Sequence, residues 1–319
     1  MAVNRNDHLQ SVLQSHRMSH IESSVEKYKE KRNSIKEALE ERYGSDIYGP
    51  FNSGSYAKHT AVNCKFDLDL VVPFKRNSYA TLREMFEDVY DYLYETYKDI
   101  ATIRKQKVSI GVIFDKDSDG DIVSIDVVPG RELTADDYPE SRDLNVFFNE
   151  GMGFIQKDTY LKTNIDSQID HIKARDNERK IIRLLKLWKY HNGEQFKSFL
   201  MELLVVKAFD KTSITGGLWD KLKGVMTYVQ ENITKETFTL VDPGNSNNDV
   251  MESLDTWQRE NLANRFKTVI ERIEESSENI KSYFPINEQF EEQKTTDNSY
   301  GIKGPAIIHS IPKDTERFG

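Results

Sequence analysis

Cysteine is nearly missing from this 319-residue chain: Cys64 stands alone, which excludes an internal disulfide and any zinc site built from several thiolates. No apolar run reaches the length needed to cross a bilayer. The opening residues, Met1-Ala-Val-Asn-Arg-Asn-Asp-His8, lack the apolar centre of a secretion signal, so a cytoplasmic protein with no membrane partner is expected. A surplus of positive charge is also lacking. Lysine and arginine number 44 against 53 acidic residues, a formal net charge of −9. Proteins that grip long nucleic acids carry a basic face, so stable nucleic-acid binding is not expected. Nucleotide substrates, which need only a few local cations plus metal, stay open. What is present is an ordinary globular composition, 37% hydrophobic and 30% charged, long enough for two lobes.

The informative stretch runs from Gly49 to Phe74. Phe66–Phe74 reads as a buried strand, apolar except at Asp67 and Asp69. Strand side chains alternate between faces, so the two aspartates would point one way while Leu68 and Leu70 enter the core. Two adjacent carboxylates repel and lose hydration, which calls for a cation, and a hard divalent ion such as Mg2+ suits oxygen ligands. Upstream, Gly54-Ser55 forms a turn where a missing Cβ lets a backbone N–H and a hydroxyl approach a phosphate. The bland alternative is a surface turn before a solvent-facing strand; the flanking Leu70-Val71-Val72-Pro73-Phe74 argues against it.

Elsewhere, Ile21, Val25, Tyr28, Ile35 and Leu39 recur at helical steps within a helical region from about His8 to Tyr43, read as a brace along the back of the molecule. Ser78 is placed to cap a helix carrying Leu82, Phe86, Val89, Leu93 and Tyr97. Lys107–Phe114 and Ile122–Pro129 form a hairpin that brings a third carboxylate, Asp126, into the sheet. Its turn matches a calcium loop at Asp115, Asp117, Asp119, Gly120 and Asp126, but that loop needs flanking helices, so a solvated acidic tip is expected. Asn145–Phe148 adds a short strand. From Asp158 the pattern turns helical, with helices over Glu178–His191, Ser198–Phe209, Leu218–Asn232 and Leu254–Phe284 and a turn-rich Val241–Val250 loop.

Gly54-Ser55, the spacer Tyr56–Phe66 and Asp67-x-Asp69 resemble the signature of DNA polymerase β-type nucleotidyltransferases. Adding Asp126, the Arg183-Leu-Leu-Lys186-x-Trp188 helix, the Lys197-Ser198-Phe-x-x-Glu-Leu-Leu helix and Val241-Asp-Pro243, the chain resembles the cGAS/DncV-like nucleotidyltransferases (CD-NTases) from about Leu9 to Phe284. The resemblance implies an α+β (α/β) fold: a mixed-sheet nucleotidyltransferase lobe with the helical brace at 1–157, an α-helical lobe at 158–284 with the cleft between them, and a tail at 285–319. It implies template-independent joining of ribonucleoside triphosphates into a cyclic di- or trinucleotide that activates a downstream effector in CBASS antiphage defence. Asp67, Asp69 and Asp126 would hold two Mg2+ ions, which Mn2+ can replace. Gly54, Ser55, Lys186 and Ser198 would bind the triphosphate. Simpler readings are a snorkelling lysine for Lys186, a helix cap for Ser198 and a turn-former for Asp242. Competing functions are RNA tailing, protein nucleotidylation, or nucleotide binding without turnover.

Overall fold

The helical pattern from His8 to Tyr43 is broken at His16-Arg17, and its halves serve different layers of the computed structural model, which describes residues 2–149 and 159–291. α1 (Arg5–Ser15) is capped by the Asn4 side chain, which accepts from the N–H groups of Asn6 and Asp7. It puts Leu9, Val12 and Leu13 into the helical core of the C-terminal half. α2 (Glu22–Tyr43) lays Val25, Tyr28, Ile35 and Leu39 on the sheet instead. β1 (Phe51–Ser53), the single turn α3 (Gly54–Ala57) and β2 (Leu68–Phe74) follow, then α4 (Leu82–Tyr97). α4 starts at Thr81 and not at Ser78. Thr81 and Glu84 exchange side-chain bonds of 3.1 and 3.0 Å with each other's N–H groups, a reciprocal cap that needs a glutamate three residues on.

β3 (Ala101–Lys105), β4 (Ile110–Phe114), β5 (Ser124–Glu132), the turn α5 (Tyr138–Ser141), β6 (Leu144–Phe148) and β7 (Thr159–Thr163) complete the sheet. β7 corrects the helical reading from Asp158: Thr159–Thr163 pairs antiparallel with β6 along its length, and a strand partner overrides local preference. The boundary expected at 157/158 lies outside the described residues, as does 292–319 of the expected tail. The helical layer comprises α6 (Ile165–Lys173), α7 (Asp176–His191), α8 (Ser198–Lys211) and α9 (Leu218–Asn232). A hairpin, β8 (Val241–Asp242) and β9 (Asn245–Asp249), precedes α10 (Thr256–Glu275) and α11 (Ile280–Tyr283). The single helix expected over Leu254–Phe284 breaks at Ser276, whose backbone is extended.

The sheet order is β1-β2-β5-β4-β3, with β2 and β5 parallel and the other neighbours antiparallel. β6 joins the C-terminal end of β5, so one edge of β5 is shared between β4 and β6. The mixed sheet and helical layer are the architecture expected. Alternation decides the faces: Leu68, Leu70, Val72 and Phe74 of β2 join Ile125 and Val127 of β5 in the core beneath α2 and α4. Asp69, Val71, Asp126 and Val128 are therefore left on the opposite face.

Around α1 the interior holds histidines. His16 is 2% exposed, with Nδ1 2.9 Å from the Val12 carbonyl, and burial pushes its pKa from 6.5 down to about 4. Burial lowers His8 and His191 as well. The folded state thus refuses protons that the unfolded chain accepts. Stability is full above pH 6.5 and falls toward pH 4, with His16 alone accounting for up to about 3 kcal/mol. Urea unfolding between pH 7 and pH 5 should show this loss, and His16→Asn, which keeps the donor to Val12, should flatten it.

Candidate active site

Asp69 and Asp126 are register partners in the parallel pair of β2 and β5, 6% and 7% exposed, on the sheet face turned away from α2 and α4. Asp67 lies one residue before β2 and is half-buried, so the strand is shorter than expected. The three acids act on one another. Burial, then the charges of Asp67 and Asp126, hold the Asp69 carboxyl well above its ordinary range, against the pull of Lys58 and Lys186. Burial also raises Asp67, with Lys65 and Lys186 opposing. Among the described residues no lysine or arginine forms an ion pair with Asp69.

Ser53 stands opposite Asp69 in the β1–β2 register, and the chain then turns into α3 through Gly54 at φ +68°. A Cβ on Gly54 would lie 1.7 Å from Asp69 Oδ2, so only glycine lets the turn rest on the carboxylate. Ser53 is fully buried and its Oγ has no hydrogen-bond partner. Turn and acid thus share one small space, with Ser55 at the start of α3. Gly54→Ala must displace Asp69 or the turn by more than an ångström. Activity is expected to fall on the order of 10²-fold, measurable as kcat at saturating nucleotide, with the far-ultraviolet circular dichroism unchanged.

Lys186 does not snorkel. It is 2% exposed, its Nζ donating to Glu202 Oε1 at 3.0 Å and to Thr60 Oγ1 at 2.9 Å. Lys58, which sequence reasoning left unassigned, donates to Glu202 Oε2 at 3.0 Å, and Thr60 Oγ1 donates to Oε1 at 3.1 Å. Two buried lysines on one buried glutamate leave one positive charge in excess, near enough to Asp69 to pull on it. Burial would raise Glu202; Lys58 and Lys186 outweigh it and hold the carboxyl at about 2. The network ties the loop after α3 to α7 and α8.

Ser198 is the first residue of α8, not its cap; its Oγ accepts from the buried Lys189 at 3.3 Å. Arg183, one helical turn before Lys186 on α7, was missed although it lies in the quoted motif. Its buried Nε has no partner, and burial, Arg17 and Arg179 lower its pKa. Its spacing of three from Lys186 was the available signal, since such residues share a helix face. Asp242 forms a turn: Oδ1 accepts from Gly244 N–H at 2.8 Å and from Gln168 Nε2 at 3.0 Å.

The calcium-loop match is resolved by topology. Both flanks are strands and Asp126 lies in the sheet, away from the turn. Asp117, Asp119 and Asp121 do converge, with carboxylate oxygens within 4.8 Å of one another. The Lys27 ammonium sits among them at 2.7, 2.7 and 2.8 Å and ties the hairpin tip to α2.

For Asp67, Asp69 and Asp126, the donor set and electrostatics fit a divalent cation: oxygen ligands only, charge accumulated in a buried place, and no ion pair on Asp69 among the described residues. No protein-family model matches the chain. The CBASS oligonucleotide cyclase CdnC of Escherichia coli (strain KTE188) is 23% identical over 227 residues, covering 67% of this chain and 67% of that protein. The structure of E. coli MS115-1 CdnC with ATP superposes with a TM-score of 0.64 at 19% identity, over 84% of this chain and 91% of that one. Vibrio cholerae DncV cyclic AMP-GMP synthase, solved with the linear intermediate 5′ pppA(3′,5′)pG, gives 0.56 at 13% identity, over 75% of this chain and 69% of that one. The chain is thus similar in sequence to a CBASS oligonucleotide cyclase and shares the fold of CdnC and of DncV, the cGAS/DncV-like nucleotidyltransferase (CD-NTase) architecture that its sequence resembles.

Proposed function

We propose that this chain is a nucleotidyltransferase that joins ribonucleoside triphosphates, without a template, into a cyclic di- or trinucleotide, and that the product activates an effector in CBASS antiphage defence. The observation that carries this reading is the side-by-side placement of buried Asp69 and Asp126, with Gly54 pressed against Asp69. The relatives' names support the reaction class.

Asp67, Asp69 and Asp126 would hold divalent metal, Mg2+ or Mn2+, whose charge stabilises both the entering and the leaving oxygen of an in-line transfer. The chain's own groups do the rest. The N–H groups at the Gly54-Ser55 turn and the Ser55 hydroxyl face the β/γ-phosphates. Lys186 and Lys58, held in place by Glu202, supply positive charge that a triphosphate requires. Ser198 receives the Lys189 ammonium and positions it at the N-terminus of α8. Burial excludes water from Asp69 and Asp126, so charge that develops there is little screened.

The purified chain incubated with all four ribonucleoside triphosphates and Mg2+ or Mn2+ should yield a phosphatase-resistant small product that mass spectrometry identifies. Label found on RNA or protein instead would replace this reading with tailing or protein nucleotidylation. Nucleotide-induced stabilisation without turnover would replace it with a binding protein.

A further inference from the structure

The acid on β5 does not stand alone. Lys105 and Ile110 are the last paired residues of the β3–β4 hairpin, and the turn between them carries Gln106 and Ser109, which are 7% and 0% exposed. Gln106 Nε2 donates to Asp126 Oδ1 at 2.8 Å, and Ser109 Oγ donates to Gln106 Oε1 at 3.0 Å. The amide presents its nitrogen to Asp126, and the serine hydroxyl, donating to the amide oxygen, secures the other end.

The turn carrying this amide is itself fastened. The Gln106 N–H donates to the Ser109 carbonyl at 2.9 Å, and the N–H of Asn149, just after β6, donates to the Lys107 carbonyl at 2.6 Å. Room for the amide comes from Gly111, the register partner of Asp126 on β4. A Cβ there would lie 2.3 Å from Gln106 Nε2 and 3.3 Å from Asp126 Oδ1. A buried glutamine, a buried serine and a glycine that vacates space thus act on one carboxylate oxygen.

We propose that Gln106, oriented by Ser109 and accommodated by Gly111, is the positioning residue for Asp126. It fixes the carboxylate rotamer through Oδ1 and, as a neutral amide, adds no charge of its own to the acid. A lysine or arginine in the same place would hold the acid equally well but would neutralise it. This inference rests on the reading of Asp126 as a metal ligand, and it deepens that reading by naming the group that sets the ligand's geometry. Loss of a group that orients a metal ligand typically costs about 10–100-fold in metal affinity.

The test is Mn2+ titration of the full chain without nucleotide, followed by the electron paramagnetic resonance signal of free Mn2+. The component absent from Asp126→Asn defines the site and separates it from any ion at the exposed Asp117, Asp119 and Asp121. Gln106→Met, similar in size and without a donor, should weaken that component about 10–100-fold at an unchanged melting temperature. Gly111→Ala should do the same while retaining the glutamine, because the new methyl would lie 2.3 Å from Gln106 Nε2 and must displace the amide, with a lesser crowding of Asp126 Oδ1 at 3.3 Å. Ser109→Ala should have a smaller effect in the same direction. If Gln106→Met does not fold, Gly111→Ala and Ser109→Ala decide. Native affinity in these variants, with the component still lost in Asp126→Asn, overturns the role of Gln106 alone. Equal Mn2+ binding by the native chain and Asp126→Asn overturns the metal reading and this inference together.

Discussion

Asp69→Asn is expected to abolish turnover and, in metal-free buffer, to raise the melting temperature. The two effects have one cause. Asp69 is buried beside Asp67 and Asp126, and burial followed by those two charges raises its pKa well above the ordinary 3.8. A raised carboxyl pKa means the folded state holds its proton to higher pH than the unfolded chain does. Stability of the metal-free protein therefore falls as pH climbs from 3.8 through the raised folded value, and this cost persists at neutral pH. Asparagine keeps the shape and removes the charge, so the cost goes. Each kcal/mol relieved should appear as roughly 2–4 °C in a chain of this kind. The same substitution removes negative charge where divalent metal would be held, so kcat should drop on the order of 10³-fold. Calorimetry with EDTA and with excess Mn2+ checks the first half: Mn2+ should stabilise the native chain and not the variant. A variant that melts lower than the native chain without metal, or keeps its turnover, contradicts the account.

Glu202→Ala should be the most destabilising single change around these acids. Its two oxygens serve two ammonium groups and a hydroxyl, all buried. Removing the acid leaves Lys58 and Lys186 charged and unpaired by it in a dry place, a loss of about 3–5 kcal/mol. The pH dependence gives an independent check. Glu202 is held at about 2, below its ordinary 4.5, because the lysines outweigh its burial. A depressed carboxyl pKa contributes stability above 4.5 that is lost as pH falls toward 2, about 3 kcal/mol in all. Urea unfolding at pH 7 and pH 3 should show the native chain losing much of this and Glu202→Gln losing far less. The lysines have a second destination. Asp69 already feels both, so without Glu202 they should move toward the acids and neutralise them. Glu202→Gln should therefore also weaken Mn2+ binding. Unchanged stability in Glu202→Ala would mean that the network is not closed in solution.

Much of this was legible in the chain itself, because the relevant patterns are local. Alternation along Leu68–Phe74 and Ser124–Glu132 assigns Asp69 and Asp126 to the face opposite Leu68, Leu70, Ile125 and Val127, and the helical repeat of α7 sets Arg183 beside Lys186. A single cysteine excludes an internal disulfide without any coordinates. Other features required the fold. Register places Ser53 against Asp69 and thereby makes Gly54 obligatory, and no periodicity states a register. Thr159–Thr163 is a strand only because β6 offers it a partner. Lys58 meets Glu202 across 144 positions, and Gln106 meets Asp126 across 20. The periods of a strand and a helix decide which way a side chain points, but its partner depends on how distant segments pack, and that is where the charges of this site are balanced.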